Sequence, residues 1–180
     1  MMEFTSLLYN RVISAFLSFP DLSSWLIALL LLLIIAPICL SIGVRTGLLR
    51  VRVSDLSVTK AIRVSAICFF FPAVVEEFLF RVLLIPHKTE HISITTQLAW
   101  VFISLSLYVF SHPLNAVIFY KKSRATFTNP IFLLLTLILG AACTILYFQS
   151  GSIWTSIIIH WITVIVWLLL LDGYATLNRS

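Results

Sequence analysis

The sequence predicts an all-α fold: a polytopic membrane helical bundle of about five transmembrane helices, preceded by an N-terminal interfacial helix. Hydrophobic residues make up 61% of the 180 residues and charged residues only 11%, and the mean hydropathy is +1.09. The apolar runs reach the roughly 20 residues that a bilayer crossing needs, and they do not alternate with polar residues as barrel strands do. The short connections between them predict a single membrane domain over residues 1–180.

The N-terminal segment places apolar side chains at helical spacing between polar ones, from Phe4 to Phe16. This pattern predicts a helix that lies in the membrane interface. Pro20 ends that helix, and Asp21 can cap a first span over residues 22–43, which contains no charged residue. We therefore expect the first span to be a plain anchor.

Four further apolar runs predict the remaining spans, over residues 64–85, 98–120, 130–148 and 152–171. If all five runs cross, nine Lys and Arg residues fall on one side and two on the other. The larger set is Arg45, Arg50, Arg52, Lys60, Arg63, Lys121, Lys122, Arg124 and Arg179, and the smaller is Arg11 and Lys88. Because Lys and Arg accumulate in cytoplasmic loops, we expect the basic loops in the cytoplasm and the N-terminus outside. The placement of Lys and Arg in loops between spans accounts for the net charge of +5, so no nucleic-acid partner is expected.

The second predicted span contains three charged side chains, Glu76, Glu77 and Arg81. One charge at the centre of a span costs about 2.5–3.5 kcal/mol on insertion scales, so these groups must be paired or protonated. Glu77 and Arg81 lie four residues apart on one helix face and predict an ion pair, which leaves Glu76 without a local partner. Pro72, one turn earlier, removes a helical hydrogen bond, which suits a cavity lining better than a lipid-facing surface. Glu76 is therefore a candidate general base.

Two other predicted spans carry histidines, His112 in the third and His160 in the fifth, and Asn115 follows His112 by one turn. Taken singly, an intramembrane histidine is often a hydrogen-bonding partner between helices, and a Glu–Arg pair is often structural. Three spans that place ionisable groups at similar depth favour a common cavity formed by Glu76, His112 and His160.

Two chemistries fit a carboxylate with two imidazoles. In the first, Glu76 takes a proton from water, His112 orients that water, and His160 donates to the oxyanion of an attacked peptide carbonyl. In the second, Glu and His side chains bind a divalent metal such as zinc, which activates the water itself. The sequence lacks the His-Glu-x-x-His helix of common zinc proteases, so the metal alternative has less support.

The motifs of one known family resemble this arrangement: the CPBP family of CAAX-processing and bacteriocin-processing (ABI-type) intramembrane proteases. Each of its motifs lies in its own apolar run here, and the similarity covers residues 60–172, the predicted core. The matching residues are, in chain order, Glu76, Glu77, Arg81, Tyr108, His112 and His160. The run His-Pro-Leu-Asn that begins at His112 looks like a cyanobacterial or plastid-like branch.

The resemblance implies a glutamic endopeptidase that cleaves membrane-associated peptide or protein substrates. In such an enzyme Glu76 would activate water with His112, and His160 would help to form the oxyanion hole. The supporting residues would be Glu77, Arg81 and Asn115. No cofactor is implied, and zinc stays a secondary alternative.

Two positions depart from the pattern of this family. Tyr108 stands where Phe is common, which keeps the aromatic body and adds a hydroxyl. Val164 stands where Asn or a similar polar group is common, so one oxyanion donor is missing unless Asn115 or Thr163 supplies it. Val164 is thus the main argument for the alternative function, a catalytically silent relative that acts as a membrane scaffold, assembly or immunity factor. A proton-coupled transporter is less expected, because the short-looped chain shows no internal repeat.

Overall fold

A computed structural model of the chain describes residues 2–118 and 121–178, with side chains from residue 5 onward. Arg179 and the predicted end of the third span at residue 120 lie outside the described residues. Within them every regular element is helical and no strand is present, which confirms the predicted all-α fold. The single membrane domain over residues 1–180 and the core over residues 60–172 stay predictions.

Five helices are long and apolar enough to cross a membrane, as predicted. They are α2 (Leu22–Arg45), α3 (Val58–Val82), α4 (Ile94–Ile118), α6 (Pro130–Ser150) and α7 (Ile153–Leu170). Three further α-helices flank or connect them, namely α1 (Met2–Leu17), α5 (Arg124–Phe127) and α8 (Gly173–Asn178), and short 3-10 helices form at Lys88–Glu90 and Lys121–Ser123. The side-chain oxygens of Asp21, Asn129 and Ser152 accept backbone N–H groups at the starts of α2, α6 and α7. These caps satisfy donors that would otherwise be left without partners at the helix ends.

The α1 helix, the α3–α4 connection and the α6–α7 turn meet at one end of the bundle. Arg11 of α1 donates to both carboxylate oxygens of Glu90, at 2.6 and 2.7 Å, and to the carbonyl of Leu83 at 2.8 Å. His87 Nε2 lies 2.9 Å from the carbonyl oxygen of Gly151. The predicted N-terminal helix is therefore present and docks on the bundle, while its position in the membrane interface stays a prediction.

The remaining connections meet at the opposite end. The backbone N–H of Arg52 donates to the carbonyl of Leu170 at 3.0 Å, and Ser123 Oγ donates to the carbonyl of Leu177 at 3.1 Å. This alternation of ends is what five successive crossings require. It groups the predicted basic segments at one end, and their cytoplasmic location stays a prediction.

The start of α3 differs from the sequence prediction. The helix begins at Val58 and not near residue 64, because Ser57 caps it by accepting the backbone N–H of Lys60 at 3.4 Å. Lys60 and Arg63 were predicted in a loop but lie on the first two turns of the helix, where both are exposed. A capped helix can continue beyond the apolar segment, so the charged residues do not mark its end.

The middle of α3 is irregular around Pro72, as its missing N–H predicts. Phe71 leaves the helical region with φ −126° and ψ 107°, and π-helical turns occupy Phe69–Val74 and Phe78–Val82. The ring of Phe69, in the first π-helical turn, packs against Trp161 of α7 at a centroid distance of 5.6 Å. Just before the break, Trp161 Nε1 donates to the carbonyl of Ser65 at 2.8 Å. Only the short α-helical stretch Val75–Glu77 separates the two π-helical turns. The irregular backbone thus faces a neighbouring helix, and it sets the orientation of the two glutamates.

The end of the bundle that holds His87 is expected to lose stability as the pH falls. Burial lowers the pKa of His87 from its usual value of 6.5. As the pH falls below 6.5, the unfolded chain therefore binds the proton before the folded chain does, and the folded state loses free energy. The midpoint of thermal unfolding should fall more steeply between pH 7 and about pH 5 in the wild type than in His87→Gln. Equal slopes for the two proteins would contradict this account.

Candidate active site

Glu77, Arg81 and His160 form a buried cluster between α3 and α7. Glu77 and Arg81 are fully buried, and His160 is 2% exposed. The Arg81 Nε to Glu77 Oε2 distance is 3.3 Å, which confirms the predicted ion pair. His160 Nδ1 lies 2.8 Å from Glu77 Oε1, and Arg81 Nη2 donates to the carbonyl of Gly140 at 3.1 Å. The sequence did not predict that Glu77 would pair with His160 as well as with Arg81.

The hydrogen bond to Glu77 determines what the other nitrogen of His160 can do. An ionised carboxylate only accepts hydrogen bonds, so His160 Nδ1 donates to Glu77. In a neutral imidazole, the Nε2 atom of His160 then carries a lone pair and accepts.

Glu76 lies opposite that nitrogen without a partner of its own. Its Oε2 atom is 3.8 Å from His160 Nε2 and makes no hydrogen bond with the described residues. The side chain is 16% exposed, whereas Glu77 beside it is fully buried. Glu76 and the Nε2 atom of a neutral His160 are both acceptors, so a molecule with two O–H groups, such as water, satisfies the pair. The predicted lack of a local partner for Glu76 is confirmed.

His112 lies near the cluster but not in contact with Glu76. Its Nδ1 atom donates to the carbonyl of Tyr108 at 2.9 Å, one turn back in α4. The His112 ring packs against Phe127 and Phe132, at centroid distances of 6.2 and 5.8 Å. Among the residues that the structure describes, no hydrogen bond or ion pair joins His112 to Glu76. The structure therefore brings Glu76 and His160 together, while His112 contacts Tyr108, Phe127 and Phe132.

Tyr108 links these groups, although the sequence pattern gave its hydroxyl no role. Its ring centroid lies 5.1 Å from that of His112 and 6.1 Å from that of His160, and the Arg81 guanidinium carbon lies 4.8 Å from it. Gly140 of α6 allows this packing, because a Cβ there would lie 2.7 Å from the Tyr108 ring. The one signal in the sequence was the position of Tyr108, one turn from His112.

The predicted substitutes for the missing oxyanion donor have different surroundings. Thr163 Oγ1 donates to the carbonyl of Ile159 at 2.8 Å, in its own helix, and so is already engaged. Asn115 is half-buried, and its amide makes no hydrogen bond with the described residues. Val164 is half-buried and offers no polar group. Of the two predicted substitutes, only Asn115 has an unengaged donor.

The described residues bring three metal-ligand side chains together, and an arginine cation lies beside them. Among the described residues, ligand atoms of Glu77, Cys143 and His160 lie within 4.8 Å of one another. Glu77 already binds His160 and the Arg81 cation, and that cation would repel a second positive charge. Among the described residues, this group contains neither Glu76 nor His112.

Cys143 has a structural role in the same region. It is fully buried, its Sγ lies 3.7 Å from the carbonyl oxygen of Ser156, and Ser156 Oγ donates to the Cys143 carbonyl at 2.9 Å. This reciprocal pair joins α6 to α7 one turn before His160. Cys143 is therefore a small buried packing residue.

Comparison with known proteins identifies one family. A family model described as type II CAAX prenyl endopeptidase Rce1-like matches residues 59–166. The match contains every predicted site residue, from Glu76 to His160. No curated protein and no solved structure matches the chain.

Proposed function

The chain belongs to the Rce1-like family of type II CAAX prenyl endopeptidases, and on this premise we propose that it cleaves membrane-associated proteins with Glu76 as general base. The chain is an integral membrane protein with five candidate spans, so the cleaved bond lies in or near the bilayer. The observation that carries the proposal is the unpartnered Glu76 carboxylate facing His160 Nε2 at 3.8 Å. The proposed substrate is a membrane-associated peptide or protein.

The proposed water lies between these two acceptors. An oxygen about 2.8 Å from each can donate one O–H to Glu76 and the other to His160 Nε2. Its lone pair is then directed at the peptide carbonyl carbon. Glu76 takes one proton as the new C–O bond forms, and the carbonyl π electrons move to the oxygen. When the C–N bond breaks, the leaving nitrogen takes that proton, which restores the Glu76 carboxylate.

Glu77 and Arg81 support this step by fixing His160. Glu77 accepts a hydrogen bond from His160 Nδ1, so the Nε2 atom of the ring is directed at the water and not at the helix backbone. Arg81 balances the charge of Glu77, so the second carboxylate stays ionised in a buried position. The geometry favours a water-holding role for His160, whereas the family resemblance assigned it to the oxyanion. We place His112 and Asn115 further along the cavity, against the substrate.

The proposed function is tested by reconstituting the folded protein in vesicles with a library of single-span peptides. Mass spectrometry should detect peptides cut at a defined bond, with one product retained in the vesicle. The second candidate function, a catalytically silent scaffold, is favoured by Val164 and by the engaged Thr163 hydroxyl. A folded wild-type protein that cleaves no peptide would support the scaffold and contradict the protease.

Cleavage is expected to be insensitive to chelators. Because Arg81 lies beside the one three-ligand group that the described residues form, we propose that Glu76 and His160 activate the water without a metal. A strong zinc chelator at a concentration that inactivates a zinc protease control should therefore change the cleavage rate by less than about twofold. A rate that falls with the chelator and returns with added zinc would contradict the metal-free mechanism.

A further inference from the structure

The proposed mechanism requires a hydrogen-bond donor that neither site histidine provides in its neutral form. Attack by water places negative charge on the peptide carbonyl oxygen, and enzymes stabilise that charge with fixed donors. The Nδ1 atoms of His160 and His112 donate to Glu77 and to the Tyr108 carbonyl. Their Nε2 atoms are therefore acceptors when the rings are neutral. The donor for the oxyanion must come from another side chain of the cavity.

Tyr108 lies in the right place to be that donor. Its ring is 1% exposed and lies between His112, His160 and the guanidinium of Arg81. The ring is fixed on its other sides by Phe80, at a centroid distance of 5.4 Å, and by the close approach to Gly140. A ring held on so many sides cannot move away from the cavity without disturbing α4 and α6. Its hydroxyl is therefore preorganised.

The Tyr108 side chain is 1% exposed, and no hydrogen bond joins its hydroxyl to a described residue. Unlike the Tyr147 hydroxyl, its oxygen is not fully enclosed by protein atoms. Buried tyrosine hydroxyls normally find a partner. The charged groups near this phenol include Glu76, Glu77 and Arg81, and Glu76 is also the proposed base. An unengaged donor at this position can bind a ligand atom that arrives with the substrate.

We propose that the Tyr108 hydroxyl donates a hydrogen bond to the oxyanion that forms when water attacks the substrate carbonyl. This inference rests on the proposed function. No proton is transferred: the O–H bond of Tyr108 stays intact, and the hydrogen bond strengthens as charge builds on the oxygen. Tyr108 would thus supply the donor that Val164 lacks. Arg81 is less suited, because Glu77, Gly140 and the Tyr108 ring already enclose its guanidinium.

Tyr108→Phe tests the inference, because phenylalanine keeps the ring and removes only the hydroxyl. The matched control is Tyr147→Phe, since Tyr147 is another buried tyrosine of the bundle whose hydroxyl has no partner. Its ring lies beside His87, at the end of the bundle where α1 docks. We expect Tyr108→Phe to lower kcat by about 100- to 1000-fold with KM little changed, and Tyr147→Phe to leave both constants unchanged. Both variants should unfold at the wild-type temperature.

Binding of a phosphinate version of the best-cleaved peptide separates the oxyanion role from a packing role. The phosphinate mimics the tetrahedral oxyanion, so Tyr108→Phe should lose about as much phosphinate affinity as kcat/KM. Affinity for the uncleaved peptide, measured in the Glu76→Gln background, should not change. Equal activity and equal phosphinate affinity in Tyr108→Phe and wild type would overturn the inference and leave the proposed function standing. A wild-type protein that neither cleaves peptides nor binds the phosphinate would overturn both.

Discussion

Arg81→Met is expected to lower the free energy of unfolding by about 3–5 kcal/mol, because it leaves Glu77 as an uncompensated buried charge. Both members of the pair are fully buried, so water cannot replace the lost guanidinium. Thermal unfolding in detergent, followed by circular dichroism, should show a markedly lower midpoint for this variant. An unfolding midpoint equal to that of the wild type would show that Glu77 is neutral in the folded protein, contrary to the account.

Two further variants make this result specific. The double variant Glu77→Gln/Arg81→Met should recover much of the loss, since it removes both charges and glutamine still accepts from His160 Nδ1. Arg52→Met is the matched control, because Arg52 is 53% exposed and pairs with the exposed Asp55 at 3.1 Å and, more distantly, with Asp172 at 3.9 Å. Its loss should be below about 1 kcal/mol. A double variant as unstable as Arg81→Met would indicate that lost packing, and not the stranded charge, explains the effect.

Glu76→Gln is expected to lower the cleavage rate by about 100- to 10,000-fold, because glutamine cannot take a proton from water. The substitution keeps the size of the side chain, and the Oε2 atom of Glu76 makes no hydrogen bond to a described residue that the change would break. The unfolding midpoint should therefore match that of the wild type or exceed it slightly. Rates are measured on the peptide that wild type cleaves fastest.

A matched carboxylate-to-amide change controls for nonspecific effects of the lost charge. Asp21→Asn is suitable, since Asp21 accepts the backbone N–H of Ser24 as the cap of α2, and asparagine caps helices equally well. Its cleavage rate and stability should both stay close to wild type. A rate for Glu76→Gln as high as that of Asp21→Asn would exclude Glu76 as the base.

Local chemistry made much of the fold predictable from sequence. Apolar runs of bilayer length predicted the five candidate spans, and the missing N–H of Pro72 predicted the break in α3. The i,i+4 spacing predicted the pair between Glu77 and Arg81. Each of these features depends on neighbours within one segment. The predicted start of α3 is wrong because Lys60 and Arg63 lie inside the helix, which Ser57 caps ahead of them.

The arrangement of the site depended on contacts between segments and was only partly predictable. Depth along each span correctly placed Glu76 near His160, but a π-helical turn on either side changes the rotation of the two glutamates about the axis. The bond from His160 to Glu77 could not be derived from an ideal helix. Nor could the sequence show that the Tyr108 ring occupies the space beside His112, since that depends on the close approach of Gly140.

The most direct test of Glu76 as the general base is the fate of the bound peptide in a single turnover. Excess enzyme in vesicles is mixed with the best-cleaved peptide, and intact peptide and products are quantified over time for wild type and Glu76→Gln. If Glu76 activates the water, the wild type converts the peptide to two products, while Glu76→Gln binds it with similar affinity and returns it intact. Products formed by Glu76→Gln at the wild-type rate would contradict the claim that Glu76 activates the water.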